Sequence, residues 1–445
     1  MVKPEATLLE EVEWAVTLYP HDRPEAAFGA ELEYSPTAGL KLRYAIEMDK
    51  CIEGTIDFLH GHTSRGEPLT LVGRFEPSKA GYKMRNGYNY CAGETSFQYA
   101  IFGLHCSNDT TFDKFHFDIS GAEDFFGNAN FRKHSSLSEK PFYSSQLDLG
   151  TIEVNWRSQL DFSGNIVAAL YEKNSEAMKR LQDAFDEIKK EHPNFRPLYK
   201  KNVDYTFTLT PKEDLKVIDA YRACNGISDL FAIFSFSPTR ILRMFAIARD
   251  ASNYPYEMTI FPSQITDQDT LSRIKKLQVA RPVTINIDDL DLARTFKAWT
   301  RERTNFSTTL SRIQSQGFVI ASHDVLAGIV LSATQLESIG HQEGHKNSKY
   351  QHPIEHYACP ALKGALATQL KCTQESIGQK ISDLRNEIAH VGRPKILLQQ
   401  LSLREQHEIN MMLDLVVLGY LMIKIEVSRV AMEKYQNSLL AKLIF

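Results

Sequence analysis

The chain has 445 residues, of which 43% are hydrophobic and 24% charged, and this balance excludes a largely disordered or fibrous protein. The formal net charge of -4 at pH 7 argues against nucleic-acid binding by the molecule as a whole. The six cysteines form no CxxC pair, residues 1–16 are acidic without an apolar core, and the most apolar stretch, 411–427, contains Asp414 and Lys424. We therefore expect a cytoplasmic protein without disulfides, a secretory signal or a membrane span.

Residues 1–290 predict an antiparallel, β-rich domain with a few helices. Apolar and polar residues alternate with a period of two, as in 40–47, and clusters of Gly, Asn, Asp and Pro separate these runs. One helix is expected over 174–192, where Asn174 or Ser175 can cap the start and a proline follows the end.

Residues 296–445 predict an all-helical bundle of the up-and-down type, joined to the first domain through a linker at 279–291. Apolar side chains recur at helical spacing in three long segments, 325–339, 377–391 and 405–435. This part carries 17 basic and 13 acidic residues, so its positive charge permits a phosphate-bearing partner. The predicted fold class is therefore α+β with two domains.

The most informative segment is 384–394, with the sequence LRNEIAHVGRP. On a helix, Arg385, Asn386 and His390 lie on the half opposite the apolar stripe. Asn386 and His390 are four residues apart, so we expect the amide to hydrogen-bond the imidazole and fix its tautomer. The Gly and Pro that follow end the helix and leave His390 in an accessible last turn.

This set of side chains suits cleavage of a phosphodiester without a metal or another cofactor. Arg385 can neutralise the scissile phosphate, and His390 can take the proton of an RNA 2′-OH or protonate the leaving 5′ oxygen. One imidazole cannot easily do both, but a two-fold dimer would supply a second one. The chain has no P-loop, GxGxxG, GxSxG or HExxH motif, which argues against the enzyme classes that need them.

LRNEIAH at 384–390 resembles the Rx4-6H signature of HEPN domains. ELEYSPTAGLKLRYAI at 31–46 and IEGTIDFLHGHTSRGEPLTLVGRF at 52–75 resemble the N-terminal domain of ApeA, a group of bacterial anti-phage HEPN proteins. The resemblance implies a β-rich sensor or regulatory domain (1–290) and a HEPN ribonuclease domain (296–445). It further implies a metal-independent endoribonuclease of abortive infection that acts as a homodimer or a higher even oligomer.

The resemblance also implies roles for individual residues. Arg385 and His390 would be catalytic with Asn386 as their polar companion, and Glu337 and Arg393 would support them. The implied partners are RNA, with tRNA among the candidates, and a phage-derived trigger. Nearby, the loop side chains that we expect to contact RNA phosphates or bases are Lys346, Lys349 and Tyr350.

Three alternatives remain open at this point. Arg385 and His390 can belong to a solvated helix face, with the imidazole near the negative end of the helix dipole. His352, His356 and Cys359 can form a zinc site, although two prolines restrict the helix around them and no cysteine pair anchors it. The helical part can also be a non-catalytic HEPN module for dimerisation or RNA binding, attached to a β domain that senses a ligand or glycan.

Overall fold

The computed structural model describes residues 6–444 except 49–51, 53, 78–80, 86–87, 108, 127–140, 163–166, 168–173, 195–197, 250–254, 277–284 and 316–324. Strands dominate the first part of the chain and helices the last part, so the predicted α+β class is confirmed. Part of the predicted linker, 279–284, lies outside the described residues. The boundary between 290 and 296 stays a prediction.

The described residues contain sixteen strands, and fourteen of them form one sheet. Their bounds are β1 Val12–Pro20, β2 Phe28–Ser35, β3 Gly39–Glu47, β4 Ile56–Thr63, β5 Pro68–Phe75, β6 Gly81–Arg85, β7 Tyr88–Phe97, β8 Tyr99–Phe102, β9 Thr111–Phe112, β10 Phe115–Ile119, β11 Tyr143–Gln146, β12 Gly150–Phe162, β13 Leu198–Pro211, β14 Leu215–Lys216, β15 Ile241–Arg249 and β16 Pro255–Pro262. The large sheet has the order β11-β12-β13-β10-β15-β16-β8-β5-β4-β1-β2-β3-β7-β6. Its neighbouring strands pair antiparallel, as predicted.

The helices of the described residues are α1 Ala122–Phe126, α2 Ser175–Glu191, α3 Val217–Ser235, α4 Gln268–Lys276, α5 Leu292–Glu302, α6 Ser307–Ser315, α7 Val325–Gln342, α8 Gln351–Tyr357, α9 Pro360–Gln369, α10 Ile377–Ala389, α11 Ile396–Gln399, α12 Leu403–Lys424 and α13 Arg429–Ile444. The helix predicted over 174–192 is α2, and the Asn174 side chain accepts the Ala177 amide at 3.1 Å. Asn174 therefore caps this helix.

The long helix predicted over 405–435 is wrong as a single element. It divides into α12 and α13, because Glu426 adopts a left-handed φ of 65° and turns the chain. The Ser428 hydroxyl then accepts the Ala431 amide at 3.2 Å and begins the second helix. The apolar pattern continues across this turn because α12 and α13 both face the same core.

α12 is the central helix of the bundle, and α7, α8, α9 and α13 pack around it. Gly419 allows this close packing, since a Cβ there would lie 2.2 Å from the Tyr357 carbonyl oxygen and 2.6 Å from Gln436 Nε2. Asp414 on the same helix is buried and paired with Arg312 at 2.6 Å. Within the described ranges, no helix combines the length and apolar character needed to cross a membrane.

The β-rich region and the bundle share one apolar core, and α3 lies between them. The Trp299 indole of α5 donates to the Gly226 carbonyl of α3 at 2.6 Å, and the Tyr435 hydroxyl of α13 donates to the Ile233 carbonyl at 2.7 Å. Both donors are buried, so these bonds join the two regions away from water.

Candidate active site at the end of α10

The end of α10 carries the three side chains that the sequence singles out. Arg385 and Asn386 are half-buried there, whereas His390 is exposed and caps the helix as the first residue beyond it. The His390 backbone N–H still donates to the Asn386 carbonyl at 3.1 Å, but its φ of -112° and ψ of 116° are extended. The imidazole is therefore accessible at the helix end, as predicted.

The predicted hydrogen bond between the Asn386 amide and the His390 imidazole is not formed among the described residues. The Asn386 Oδ1 atom instead accepts from Arg385 Nη1 at 3.1 Å. The reason is that α10 ends at Ala389, one residue earlier than the i, i+4 pairing requires, so His390 leaves the helical direction. The same early end exposes Val391 completely, although the sequence placed it on the buried stripe.

A second group of predicted residues lies close to Arg385. Glu337 of α7 accepts hydrogen bonds from Lys349 Nζ and, at 2.8 Å, from the Tyr350 hydroxyl. The Lys349 hydrogen bond is the main cause that lowers the pKa of Glu337, with smaller contributions from Tyr350 and from the positive charge of Arg385. The fold therefore brings Arg385 within electrostatic reach of Glu337, Lys349 and Tyr350.

Arg385 keeps hydrogen-bond donors available. Both Glu337 carboxylate oxygens are engaged by Lys349 and Tyr350, and Arg385 makes no ion pair within the described part of the chain. Its Nε atom is buried without a hydrogen-bond partner there. The residue is only half-buried, so its remaining guanidinium N–H groups are suited to bind an anion from outside the chain.

The three residues predicted to contact RNA differ in exposure. Lys346 is exposed in the turn before α8, whereas Lys349 is half-buried and paired with Glu337. Tyr350 is only 6% exposed, and burial together with Glu337 raises its pKa to about 12. Its ring has no free face for a base, so it supports Glu337 rather than forming the expected contact surface. Arg393 is exposed three residues after His390.

Two residues at this site were missed by sequence reasoning. Glu387 is 8% exposed, and its carboxylate accepts the backbone amides of Leu397 at 3.1 Å and Leu398 at 3.0 Å. Lys395 Nζ donates to the carbonyls of Glu387 and, at 2.9 Å, of His390. The available signal was a charged residue three positions after Leu384 on the apolar face of the helix, which predicts a buried, paired carboxylate.

The histidine-rich segment before α9 forms a stack rather than a metal site. The ring of His352 lies 3.6 Å from that of His345 and 4.0 Å from that of His356, and His352 Nε2 bonds Glu343 at 2.8 Å. Cys359 contacts Asn437 at 3.2 Å and accepts the Leu362 amide, so it serves as the cap of α9. In the part of the chain that the structure describes, no three His, Cys, Asp or Glu side chains are arranged to hold a metal ion.

The fold and the site define a two-region α+β protein in which a bundle helix ends in an Arg-Asn pair and an exposed His. The family model of ApeA N-terminal domain 1 matches residues 13–277, from β1 to the end of α4, and the chain belongs to this family. This membership suggests a protein of anti-phage defence. No curated protein and no solved structure matches the chain.

Proposed function

We propose that this protein is a HEPN-type endoribonuclease of anti-phage defence, in which Arg385 and His390 are catalytic. The observation that carries the proposal is the arrangement at the end of α10, where Arg385 makes no ion pair within the described residues and the His390 imidazole is exposed. The family of the N-terminal region supports the biological setting. Residues 296–445 would then form the nuclease domain and residues 1–290 the regulatory domain.

The proposed reaction is a transesterification within RNA. The 2′ oxygen attacks the adjacent phosphorus while the P–O5′ bond breaks, which leaves a 2′,3′-cyclic phosphate and a 5′-OH. One neutral His390 accepts the 2′-OH proton, and a second, protonated His390 donates a proton to the leaving 5′ oxygen. Arg385 binds the phosphate oxygens, whose negative charge grows in the transition state. The residues thus supply acid, base and charge stabilisation.

The need for two imidazoles leads us to propose a homodimer, or a higher even oligomer, with His390 of both copies at one site. Exposed apolar side chains in the segment that follows His390 favour this arrangement: Val391, Ile396 and Leu403 are 100%, 61% and 46% exposed. Burying these side chains against a second copy would be favourable, because it would remove apolar surface from water. A second copy that covers these three side chains would bring the two helix ends together.

RNA is the proposed substrate, and tRNA is one candidate. Lys346 and Arg393 are exposed cations near the site, so they can bind phosphates on either side of the cleaved bond. A phage-derived trigger acting through the β-rich region would control the nuclease. Because α3 is bound to α5 and α13 of the bundle, a movement of the β-rich region would displace these helices.

The proposal is tested by expressing the protein in bacterial cells and mapping RNA ends, with and without phage infection. The matched control is His192→Ala, because His192 is also an exposed histidine that caps a helix, α2. We expect fragments with 2′,3′-cyclic phosphate ends from the wild type and from His192→Ala, but none from His390→Ala. Equal fragmentation by His390→Ala would contradict the proposal. RNA binding without cleavage by the wild type would favour the non-catalytic module.

A further inference from the structure

We propose that Glu387 and Lys395 are positioning residues that hold His390 at the angle required for proton transfer. This inference rests on the proposed function, because it concerns the same reaction. It begins from an unusual feature of the site: His390 lies outside α10, so helical hydrogen bonding alone does not fix the direction in which its side chain leaves the backbone.

Lys395 fixes the His390 backbone from one side. Its ammonium group donates to the His390 carbonyl at 2.9 Å and to the Glu387 carbonyl in the last turn of α10. Arg393 contributes a backbone N–H to the same His390 carbonyl at 3.3 Å. The peptide group that follows His390 is thus bound to a rigid helix end, and a cation is favourable there because the carbonyls of the last turn are unpaired.

Glu387 fixes the segment from the other side. One carboxylate oxygen accepts the Leu397 amide and the other the Leu398 amide, and these are the first turn of α11. The carboxylate is almost fully buried, so charge-assisted hydrogen bonds to amides are strong at this position. The segment 390–396 is therefore fixed at both ends. Lys395 binds the carbonyls at the end of α10, and Glu387 binds the amides at the start of α11.

The expected consequence is a defect in catalysis rather than in RNA binding. Neither Glu387 nor Lys395 needs to touch the substrate, because their groups are bound to the chain itself. A displacement of a reacting group by about 1 Å can lower a rate about 100-fold. Loss of either residue should therefore lower kcat about 10- to 100-fold and leave KM nearly unchanged.

The experiment compares Lys395→Met, Lys395→Arg and Glu387→Gln with the wild type, using full-length protein and a short RNA substrate. Lys380→Met is the matched control, since Lys380 is also on α10 but far from its end. We expect Lys395→Met to lose kcat, Lys395→Arg to recover most of it, and Lys380→Met to behave as the wild type. A change in KM without a change in kcat, or no change in either constant, would overturn the inference.

A second readout does not depend on cleavage. Amide hydrogen exchange at Leu397 and Leu398, and the NMR signal of the His390 imidazole, are recorded without RNA. We expect faster exchange in Glu387→Gln and a shifted His390 signal in Lys395→Met. If the wild type does not cleave RNA, the proposed function fails. The positioning role itself is overturned if these two signals stay unchanged in the variants.

Discussion

Arg385 is half-buried at the end of a bundle helix and makes no ion pair within the described residues. A carboxylate lies within its electrostatic reach, yet that carboxylate is already bound by Lys349 and Tyr350. The charge of Arg385 is therefore compensated at a distance, and the hydrogen bond that it makes within the described residues runs from Nη1 to Asn386 Oδ1. An arginine with a direct ion pair would have to break that pair before it could bind a phosphate.

We predict that Arg385→Lys lowers the cleavage rate about 100-fold, although the positive charge is retained. The reason is that an ammonium group lacks the planar, forked donors that bind two phosphate oxygens at once. The measurement is kcat on a short RNA, with Arg404→Lys as a control on the exposed start of α12. Wild-type activity in Arg385→Lys would show that charge alone is sufficient.

Glu337 and its two donors, Lys349 and Tyr350, predict that the stability of the protein depends on pH. The Lys349 hydrogen bond holds the pKa of Glu337 below its usual value of 4.5, so the ionised form is favoured in the folded state. Its contribution is fully present above about pH 4.5 and is lost as the pH falls through the lowered pKa. We expect urea unfolding to show wild type more stable than Glu337→Gln at pH 7, with the difference shrinking on acidification. A difference independent of pH would contradict this.

At the scale of the helices, two glycines of the bundle have opposite roles. Gly419 lies where α12 meets the Tyr357 carbonyl, and an added Cβ would be 2.2 Å from that oxygen. Gly364 lies in α9 with no atom within 4 Å of an added Cβ. We predict that Gly419→Ala costs about 1–3 kcal/mol of unfolding free energy through overpacking. Gly364→Ala should instead stabilise by about 0.5–1 kcal/mol through lower chain entropy.

Chemical denaturation of both variants checks this pair of predictions. Because the same substitution is made twice, helix propensity cancels in the comparison and only the local space differs. Equal changes in unfolding free energy at the two positions would contradict the close packing of α12 against the Tyr357 backbone.

Local patterns predict the helices better than their ends. The apolar spacing at 377–391 correctly predicts α10, and the alternation at 40–47 correctly predicts β3. The turn at Glu426 could not be predicted from the apolar spacing at 405–435, because this pattern does not change where α12 and α13 face one core. The end of α10 also depends on a residue outside the helix, since Lys395 binds the carbonyls of Glu387 and His390.

The candidate site follows the same rule. Spacing along the chain places Arg385 and His390 at the same end of α10, and this part of the site could be predicted. The amide–imidazole contact failed because α10 ends at Ala389. The buried Glu387 and the paired state of Lys349 arise from contacts with other segments, which spacing does not contain.

At the scale of the whole molecule, α6 connects the two regions through polar groups. Arg312 reaches into the bundle and bonds Asp414 at 2.6 Å, whereas Gln314 donates to Asp229 of α3 at 2.8 Å. Arg240, at the start of β15, donates to Gln314 Oε1 at 2.6 Å. Two residues of α6, two positions apart, thus bind the two regions of the protein. We expect a movement of the β-rich region to displace α12 through these contacts.

This shared core and its polar connection predict that both regions unfold together. We expect one main calorimetric transition, and we expect Trp299→Ala to lower its temperature because the substitution leaves a large cavity and an unpaired Gly226 carbonyl. Two well-separated transitions, only one of which shifts in Trp299→Ala, would show that the regions are independent units.

Cleavage of RNA by Arg385 and His390 is best tested with purified protein and bulk cellular RNA in EDTA. The wild type, Arg385→Ala and His390→Ala are compared, each also with extract from phage-infected cells to supply a missing activator. We expect 2′,3′-cyclic phosphate ends from the wild type alone. Absence of cleavage by the wild type under both conditions, or equal cleavage by the variants, would contradict the proposed function.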